Sequence, residues 1–290
     1  MTQLKKKILV LGGTGMLGHT LFRVLERESN HEIYASARDN VLLDKLTEKD
    51  TNKYIKNLDA TNFQELERVL NSLNPDLVIN CVGVIKQVEH LDETYQTVLL
   101  NSLLPHKIQK VCEDINSKFI HISTDCVFSG ARGNYSEEDF ADCYDLYGRS
   151  KLLGEIGDKR NTITIRTSII GHELRGHISL LDWFLSQKKF CKGFSNAIFS
   201  GFPTVILSRI IKDYLIDQED IFGIFHLSSQ PISKYELLKI ISDVYSKKID
   251  IMKDEELNID RSLNSSLFKL NTGFSPDNWE SMIESMHKFE

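Results

Sequence analysis

Tyr147-Gly148-Arg149-Ser150-Lys151 sets a phenol and an ammonium four residues apart. On a helix these two positions share one face. A cation beside a phenol favours the phenolate, so Tyr147 could exchange a proton near neutral pH far more readily than a free tyrosine. Upstream, Ser123-Thr124 closes an apolar run. Hydroxyls at the carboxyl end of such a strand face the crevice where open α/β sheets bind ligands, so Thr124 and Tyr147 are expected to converge there. A second constellation is Gly12-Gly13-Thr14-Gly15-Met16-Leu17-Gly18, placed directly between an apolar run and an amphipathic one. Glycines spaced G-x-x-G-x-x-G permit a turn with no room for a β-carbon, and bare backbone lets a pyrophosphate approach the positive end of the following helix. Gly12, Thr14, Gly15, Met16, Leu17 and Gly18 are therefore candidate dinucleotide contacts.

The end of the second strand selects the adenosine ribose, because a carboxylate suits a free 2′-hydroxyl and an arginine suits a 2′-phosphate. That stretch reads Tyr34-Ala35-Ser36-Ala37-Arg38-Asp39. Ser36 at the discriminating position and Arg38 two residues on favour NADP(H), while Asp39 keeps NAD(H) compatible. Asp59-Ala60 is placed to meet the adenine, and a helix-entry aspartate accounts for it equally well.

These groups need a scaffold, and the chain supplies one. Apolar strand-like runs at Ile8–Leu11, Glu32–Ala37, Leu77–Val82, Lys118–Ser123 and Thr162–Arg166 alternate with helical patterns. This alternation predicts a doubly wound parallel α/β sheet of the Rossmann type over residues 1–168. Helices are expected at Leu17–Glu28, after a capping box at Thr61-Asn62-Phe63-Gln64, from about Leu91 to Glu113 with Pro105 kinking or dividing it, and at Leu146–Ile156. The long polar stretch from Thr124 to Asp145 reads as a functional loop. Residues 169–290 are expected to form a smaller α/β substrate lobe, with some segments returning to the main sheet. There a helix is predicted at Leu180–Ser186, a strand at Ile224–Leu227, and a helix to about Tyr245 opened by a capping box at Ser233-Lys234-Tyr235-Glu236.

With 290 residues the chain can bury an ordinary core. A net charge of −6 with dispersed Lys and Arg argues against a nucleic-acid partner. The first apolar run meets glycine too early for a signal peptide or membrane span, so a cytoplasmic location is expected. Five cysteines without C-x-x-C spacing argue against a disulfide framework and against zinc, and His172, His177 and His226 lack ligand spacing, so no metal is predicted. His121 and Trp183 read as core residues.

In their order, the glycine motif, Asn80-Cys81-Val82-Gly83, Ser123-Thr124-Asp125-Cys126-Val127-Phe128, Tyr147-x-x-x-Lys151 and Arg166-Thr167-Ser168 resemble the extended short-chain dehydrogenases/reductases. More narrowly they resemble the dTDP-4-dehydrorhamnose reductase family, as do Gly133-Asn134-Tyr135-x-Glu137, L-Y-G-R-S-K-L-L-G-E ending at Glu155, Gly201-Phe202-Pro203-Thr204 and Gly223-Ile224-Phe225-His226-Leu227. The resemblance implies NAD(P)H-dependent reduction of a 4-keto-6-deoxy sugar nucleotide in surface polysaccharide synthesis. Tyr147 would then be the proton donor. Lys151 would hold the nicotinamide ribose and lower the tyrosine pKa, and Thr124 would bond the substrate carbonyl. Cys81, Val82 and Gly83 would line the dinucleotide. Asn101 is either the helix asparagine that supports the lysine through water or a solvated polar residue. Ser123, Asp125 and Arg261 would face the substrate, Arg261 clasping its diphosphate unless it is a surface residue paired with Asp260. Cys126 stands where the family usually has tyrosine, which alters the sugar-side wall and removes the acid that related dehydratases use. A sugar-nucleotide epimerase and a non-catalytic dinucleotide-binding subunit are the alternative readings, and a homo-oligomer is compatible with each.

Overall fold

The computed structural model describes residues 4–39, 53–84 and 92–289. Six strands of the central sheet come early in the chain: β1 (Lys7–Leu11), β2 (Glu32–Ser36), β3 (Tyr54–Ile55), β4 (Leu77–Asn80), β5 (Lys118–Ile122) and β6 (Thr162–Arg166). The seventh, Gly223–His226, returns from the C-terminal part to pair with β6. All seven run parallel, with β1 at the turning point between β2 and β4 and the order continuing through β5 and β6. The expected doubly wound sheet is present.

Its strands are largely apolar because both faces are covered. Along β1 the side chains alternate between two cores. Ile8 and Val10 join the cluster around Leu21, Phe22 and Ile210. Leu9 and Leu11 join the cluster around Leu66, Leu70 and Ile108. Helices α1 (Met16–Glu28), α2 (Phe63–Leu73), α3 (Asp92–Val98), α4 (Leu104–Asp114) and α5 (Leu146–Leu153) connect the strands. The start of the helix expected at Leu91 lies outside the described residues.

Pro105 leaves the chain helical from 92 to 114 but interrupts its regular bonding. It has no N–H to give the Asn101 carbonyl four residues back. Between α3 and α4 the chain widens over Leu99–Leu103, and the Leu104 N–H reaches the Leu99 carbonyl five residues behind it. The widened turn carries Asn101 and Ser102 into the interior.

One expected cap is shifted. Asn62, not Thr61, caps α2: its Oδ1 accepts the Glu65 N–H at 3.2 Å and its Nδ2 donates to Glu65 Oε2 at 3.3 Å. At the second expected box Ser233 Oγ does cap the helix, accepting the Glu236 N–H at 3.1 Å, while the Glu236 carboxylate accepts from Lys239 at 3.1 Å.

Past β6 come α6 (Leu180–Ser186), α7 (Thr204–Tyr214), α8 (Lys234–Val244), α9 (Ser266–Thr272) and α10 (Trp279–Phe289), with short strands between them. Ile169–Ile170 pairs with Phe202–Pro203, Phe190–Phe194 with Asp250–Asp254, and Ala197–Phe199 with both Ile232–Ser233 and Ile259–Asp260. Thr20 of α1 and Thr204 of α7 share a hydroxyl contact of 3.2 Å. The loop after β5 is far from loose. Phe128 and Tyr135 stack at 4.3 Å, and the Tyr135 N–H donates to the Ser262 carbonyl at 2.9 Å.

Candidate active site

Parallel register sets Leu11, the last residue of β1, beside Asn80, the last of β4. Here the winding of the sheet reverses, and the strand ends open a crevice. The glycine turn enters it from β1. Gly12 has φ of +78°, open to glycine without strain. A β-carbon on Gly18 would strike the Gly12 carbonyl, so the helix can start this close only with glycine there. Ser36 clamps the turn from β2: its hydroxyl accepts the Gly12 N–H at 3.2 Å and its carbonyl the Gly13 N–H at 2.8 Å. The predicted ribose-reading residue thus holds the turn itself. Gly15 caps α1 with no side-chain bond, so the opening N–H groups of the helix face the crevice. The Leu17 side chain packs in the core, which leaves its backbone N–H at the helix start to face the crevice.

A cleft of about 310 Å³ lies over this turn, lined by Thr14, Gly15, Met16, Arg38 and Asp39, and on its far side by Glu173, Leu174 and Arg175. Asp59 serves helix entry. Its Oδ1 accepts the Thr61 N–H at 2.9 Å and hydroxyl at 2.8 Å, which with the Arg38 charge holds its carboxyl below the usual range. Ala60 packs on the neighbouring core.

At the carboxyl ends of β4 and β5 the reactive groups meet. Thr124 caps the turn at Asp125–Val127, accepting the Cys126 N–H at 3.1 Å, and its hydroxyl donates to Asp125 Oδ1 at 3.1 Å. The Tyr147 phenol stands near Thr124, whose side chain favours its ionisation but is outweighed by burial. Asp145 caps α5 by accepting the Gly148 N–H at 2.8 Å, which fixes the turn presenting Tyr147. Lys151, one turn on, is buried, and its ammonium donates to the Ile122 carbonyl at 2.6 Å. Burial lowers the Lys151 pKa to about 8 against the opposing pull of Glu155.

Burial, more than the Lys151 charge, governs the Tyr147 hydroxyl. Burial pushes the Tyr147 hydroxyl up, and the neighbouring Cys126 and Asp125 act in the same direction. The phenol therefore remains protonated at neutral pH, the state required of a proton donor.

Asn101 is fully buried, which overturns its reading as a solvated residue. Its Oδ1 accepts the Val84 N–H at 2.9 Å, and its Nδ2 donates to the Val84 carbonyl and to Ser150 Oγ, both at 3.1 Å. It clamps the segment after β4 to α5. Cys81, Val82 and Gly83 lie along that segment, and a β-carbon on Gly83 would sit 3.1 Å from Asn101 Oδ1 and 3.8 Å from Lys151 Nζ. Burial raises the Cys81 thiol to about 12, so it is a neutral wall.

Beneath the site is a buried network that sequence reasoning missed in part. Arg166 holds Glu155 bidentately at 2.7 and 2.9 Å. Ser123, expected on substrate, donates to Glu155 Oε1 at 2.6 Å. Arg166 Nη1 lies 3.2 Å from His226 Nε2, and the His226 N–H donates to Glu137 Oε1 at 2.7 Å. Glu155 and Glu137 both stand inside motifs that are legible in the sequence, yet no local spacing names their partners. His121 and Trp183 pack as core, His121 fully and Trp183 at the rim.

On the substrate side, Asp125 is half-buried, and the loss of solvent around its carboxyl raises its pKa, while Arg261 opposes the rise. Arg261 is half-buried and donates through Nε to the Phe128 carbonyl at 2.8 Å. The alternative pairing with Asp260 is not made: Asp260 Oδ1 accepts the Ser262 N–H at 2.9 Å.

The family described as RmlD substrate binding domain matches residues 6–289. The chain belongs to that family. Among curated relatives is a probable low-salt glycan biosynthesis reductase of Haloferax volcanii, 32% identical over 147 residues. That match spans 50% of this chain and 46% of the relative, about half of each. The methionine adenosyltransferase 2 subunit beta of Xenopus tropicalis is 22% identical over 256 residues, covering 83% of this chain and 72% of that protein. Among solved structures, the dTDP-4-dehydrorhamnose reductase of Bacillus anthracis in complex with NADP aligns over 100% of both chains with a TM-score of 0.81 at 20% identity, which establishes the shared fold. Among the described residues, no helix is long and apolar enough to cross a membrane.

Proposed function

We propose that the protein reduces the 4-keto group of a 4-keto-6-deoxy sugar nucleotide with NADPH or NADH, in the assembly of a surface glycan. One observation carries this reading: the Tyr147 phenol, kept neutral by burial, stands near Thr124 and one helical turn from the Lys151 ammonium, at the switch point of a dinucleotide-type sheet. A pure binding module has no physical need for that constellation. The residues present fit a dinucleotide, since the uncapped helix start and the Gly12 and Gly18 positions that exclude a β-carbon leave bare backbone for a pyrophosphate. The nicotinamide supplies the hydride when bound.

The remaining work falls to the chain. Thr124 orients the substrate carbonyl, and Tyr147 donates its proton to the oxygen as it becomes a carbinol. Lys151 holds the nicotinamide ribose and stabilises the phenolate left behind. Gly12, Thr14, Gly15, Met16 and Gly18 cradle the pyrophosphate, Arg38 meets the adenosine ribose, and Cys81, Val82 and Gly83 wall the nicotinamide side, with Asn101 keeping that segment in place. Arg261 faces the diphosphate, and Asp125 with Cys126 shapes the sugar side. The NADP-bound Bacillus relative and the Haloferax glycan reductase support the cofactor class and the pathway type.

The second reading, a dinucleotide-binding subunit without turnover, draws on the Xenopus relative, whose name is that of a subunit. Incubation with NADPH or NADH and a panel of 4-keto-6-deoxy sugar nucleotides, followed by loss of nicotinamide absorbance, separates the two. Turnover is expected, and Tyr147→Phe is expected to lower kcat by about 10²- to 10⁴-fold while dinucleotide binding persists. Binding without consumption of any substrate would remove the reductase reading.

A further inference from the structure

The far wall of the 310 Å³ cleft is built by the C-terminal part of the chain, which sends a strap across the glycine turn. This strap runs over residues 171–179, and its anchoring is elaborate. His172 Nδ1 lies 3.1 Å from Asp182 Oδ1 and its Nε2 2.8 Å from the Tyr245 hydroxyl. The Glu173 N–H donates to Asp182 Oδ2 at 2.6 Å. The Glu173 carboxylate folds back to accept the Ile178 and Ser179 N–H groups at 2.8 and 3.1 Å, so its charge is engaged within the strap. Gly176, with φ of +103°, turns the tip. This scaffold presents Glu173, Leu174 and Arg175 to the cleft, and of the two charged side chains only that of Arg175 is not folded back onto the strap.

Arg175 Nη1 stands 3.8 Å from Asp39 Oδ2, with both side chains well exposed. An exposed pair at that separation contributes little to stability and is easily redirected. Its position matters more than its strength. Asp39 lies at the ribose-reading end of β2, where a carboxylate would repel a 2′-phosphate. Arg175 is close enough to offset that charge, and it shares the cleft with Arg38.

We infer that Arg175 is a cofactor-selecting residue delivered from the C-terminal part, which neutralises Asp39 and joins Arg38 in holding the adenosine 2′-phosphate. The inference rests on the dinucleotide reading above. With NAD(H), Arg175 stays on Asp39, whose carboxylate is then available to the free 2′-hydroxyl. With NADP(H), the two guanidiniums flank the phosphate in the planar, multidentate manner that arginine favours. Asp182 is the positioning residue, holding both His172 and the Glu173 backbone.

The test is a fluorescence titration of NADPH and NADH against the full-length protein and its Arg38→Ala, Arg175→Ala, Arg175→Lys and Asp182→Asn variants, with 2′,5′-ADP and ADP as probes lacking nicotinamide. Arg175→Ala is expected to weaken NADPH and 2′,5′-ADP about tenfold, the scale of one lost charge-assisted contact. NADH and ADP should change by less than about twofold, as for an exposed pair. Arg175→Lys should recover part of the loss, and Asp182→Asn should shift selectivity in the same direction without touching the cleft. If Arg38→Ala loses NADPH selectivity while Arg175→Ala retains it, the inference fails and the dinucleotide reading stands. Equal weakening of NADPH and NADH in Arg175→Ala would also overturn it. Failure of the unaltered protein to bind either dinucleotide would overturn both.

Discussion

Lys151 lies against the Ile122 carbonyl with a pKa lowered to about 8, so its cation is lost on the alkaline side of neutrality. The cation is the form that holds a ribose and a phenolate, so kcat/KM for the dinucleotide is expected to fall as pH rises through about 8. Lys151→Arg keeps its charge throughout, and the alkaline limb should vanish in that variant even though its overall activity drops. A limb at the same pH in both proteins would assign it to another group. Tyr147 is moved in the opposite sense for a neutral acid, upward, so it enters the cycle as a donor. The i, i+4 spacing of this pair is visible in sequence because helix geometry is local. Which force governs its protonation is not, since the burial of Tyr147 depends on loops folded far away. The same holds for Asn101: its residue type is legible, but its interior position follows from a helix widened before Pro105.

Helix α2 shows how finely an element's start is decided. Thr61 and Asn62 are both good caps in sequence, and the Asp59 carboxylate settles the matter by taking the Thr61 hydroxyl into the preceding turn. Asn62→Ala should therefore cost about 1 kcal/mol and Thr61→Ala distinctly less, read as shifts in the denaturant midpoint. The reverse ranking would place the cap at Thr61. Apolar runs such as those of β1 and β4 are legible because burial on both faces leaves little room for polar residues. The short strands of the C-terminal part are not. Phe190–Phe194 and Asp250–Asp254 pair with Phe190 and Met252 exposed, so neither carries a clean alternation. Helix α7 also escapes notice, because it has no side-chain cap and opens with β-branched Thr204-Val205-Ile206, and packing against α1 decides its form.

Across the whole molecule, the Arg166–Glu155 pair joins β6 to the end of α5, and through His226 it reaches the seventh strand and the Tyr135 carbonyl. Both members are almost fully buried, at 6% and 3% exposure, so removing one strands the other. Glu155→Leu should destabilise by about 3–5 kcal/mol, and adding Arg166→Met should restore much of that in chemical denaturation. An additive double variant would show that the pair is not coupled. Burial, with Arg166 as a lesser cause, lowers His226 to a pKa of about 4, and burial does the same to His19. Their ordinary value is 6.5, so between 6.5 and 4 the unfolded chain binds more protons. Stability is then whole above pH 6.5 and declines as pH falls, by up to about 1.4 kcal/mol per pH unit for each histidine. Unfolding midpoints measured down to pH 5 should show a shallower decline in His19→Gln and His226→Gln, and an unchanged slope would dismiss these two groups as its source. The strand Gly223–His226 has one more consequence, in the order of synthesis. A nascent chain extended only to Asp220 has made every other strand of the sheet, yet β6, buried along its whole length in the finished protein, is still a bare edge. Its unpaired backbone invites another chain to complete it, so the nascent protein is exposed to aggregation from the completion of β6 until residues 223–226 reach the sheet.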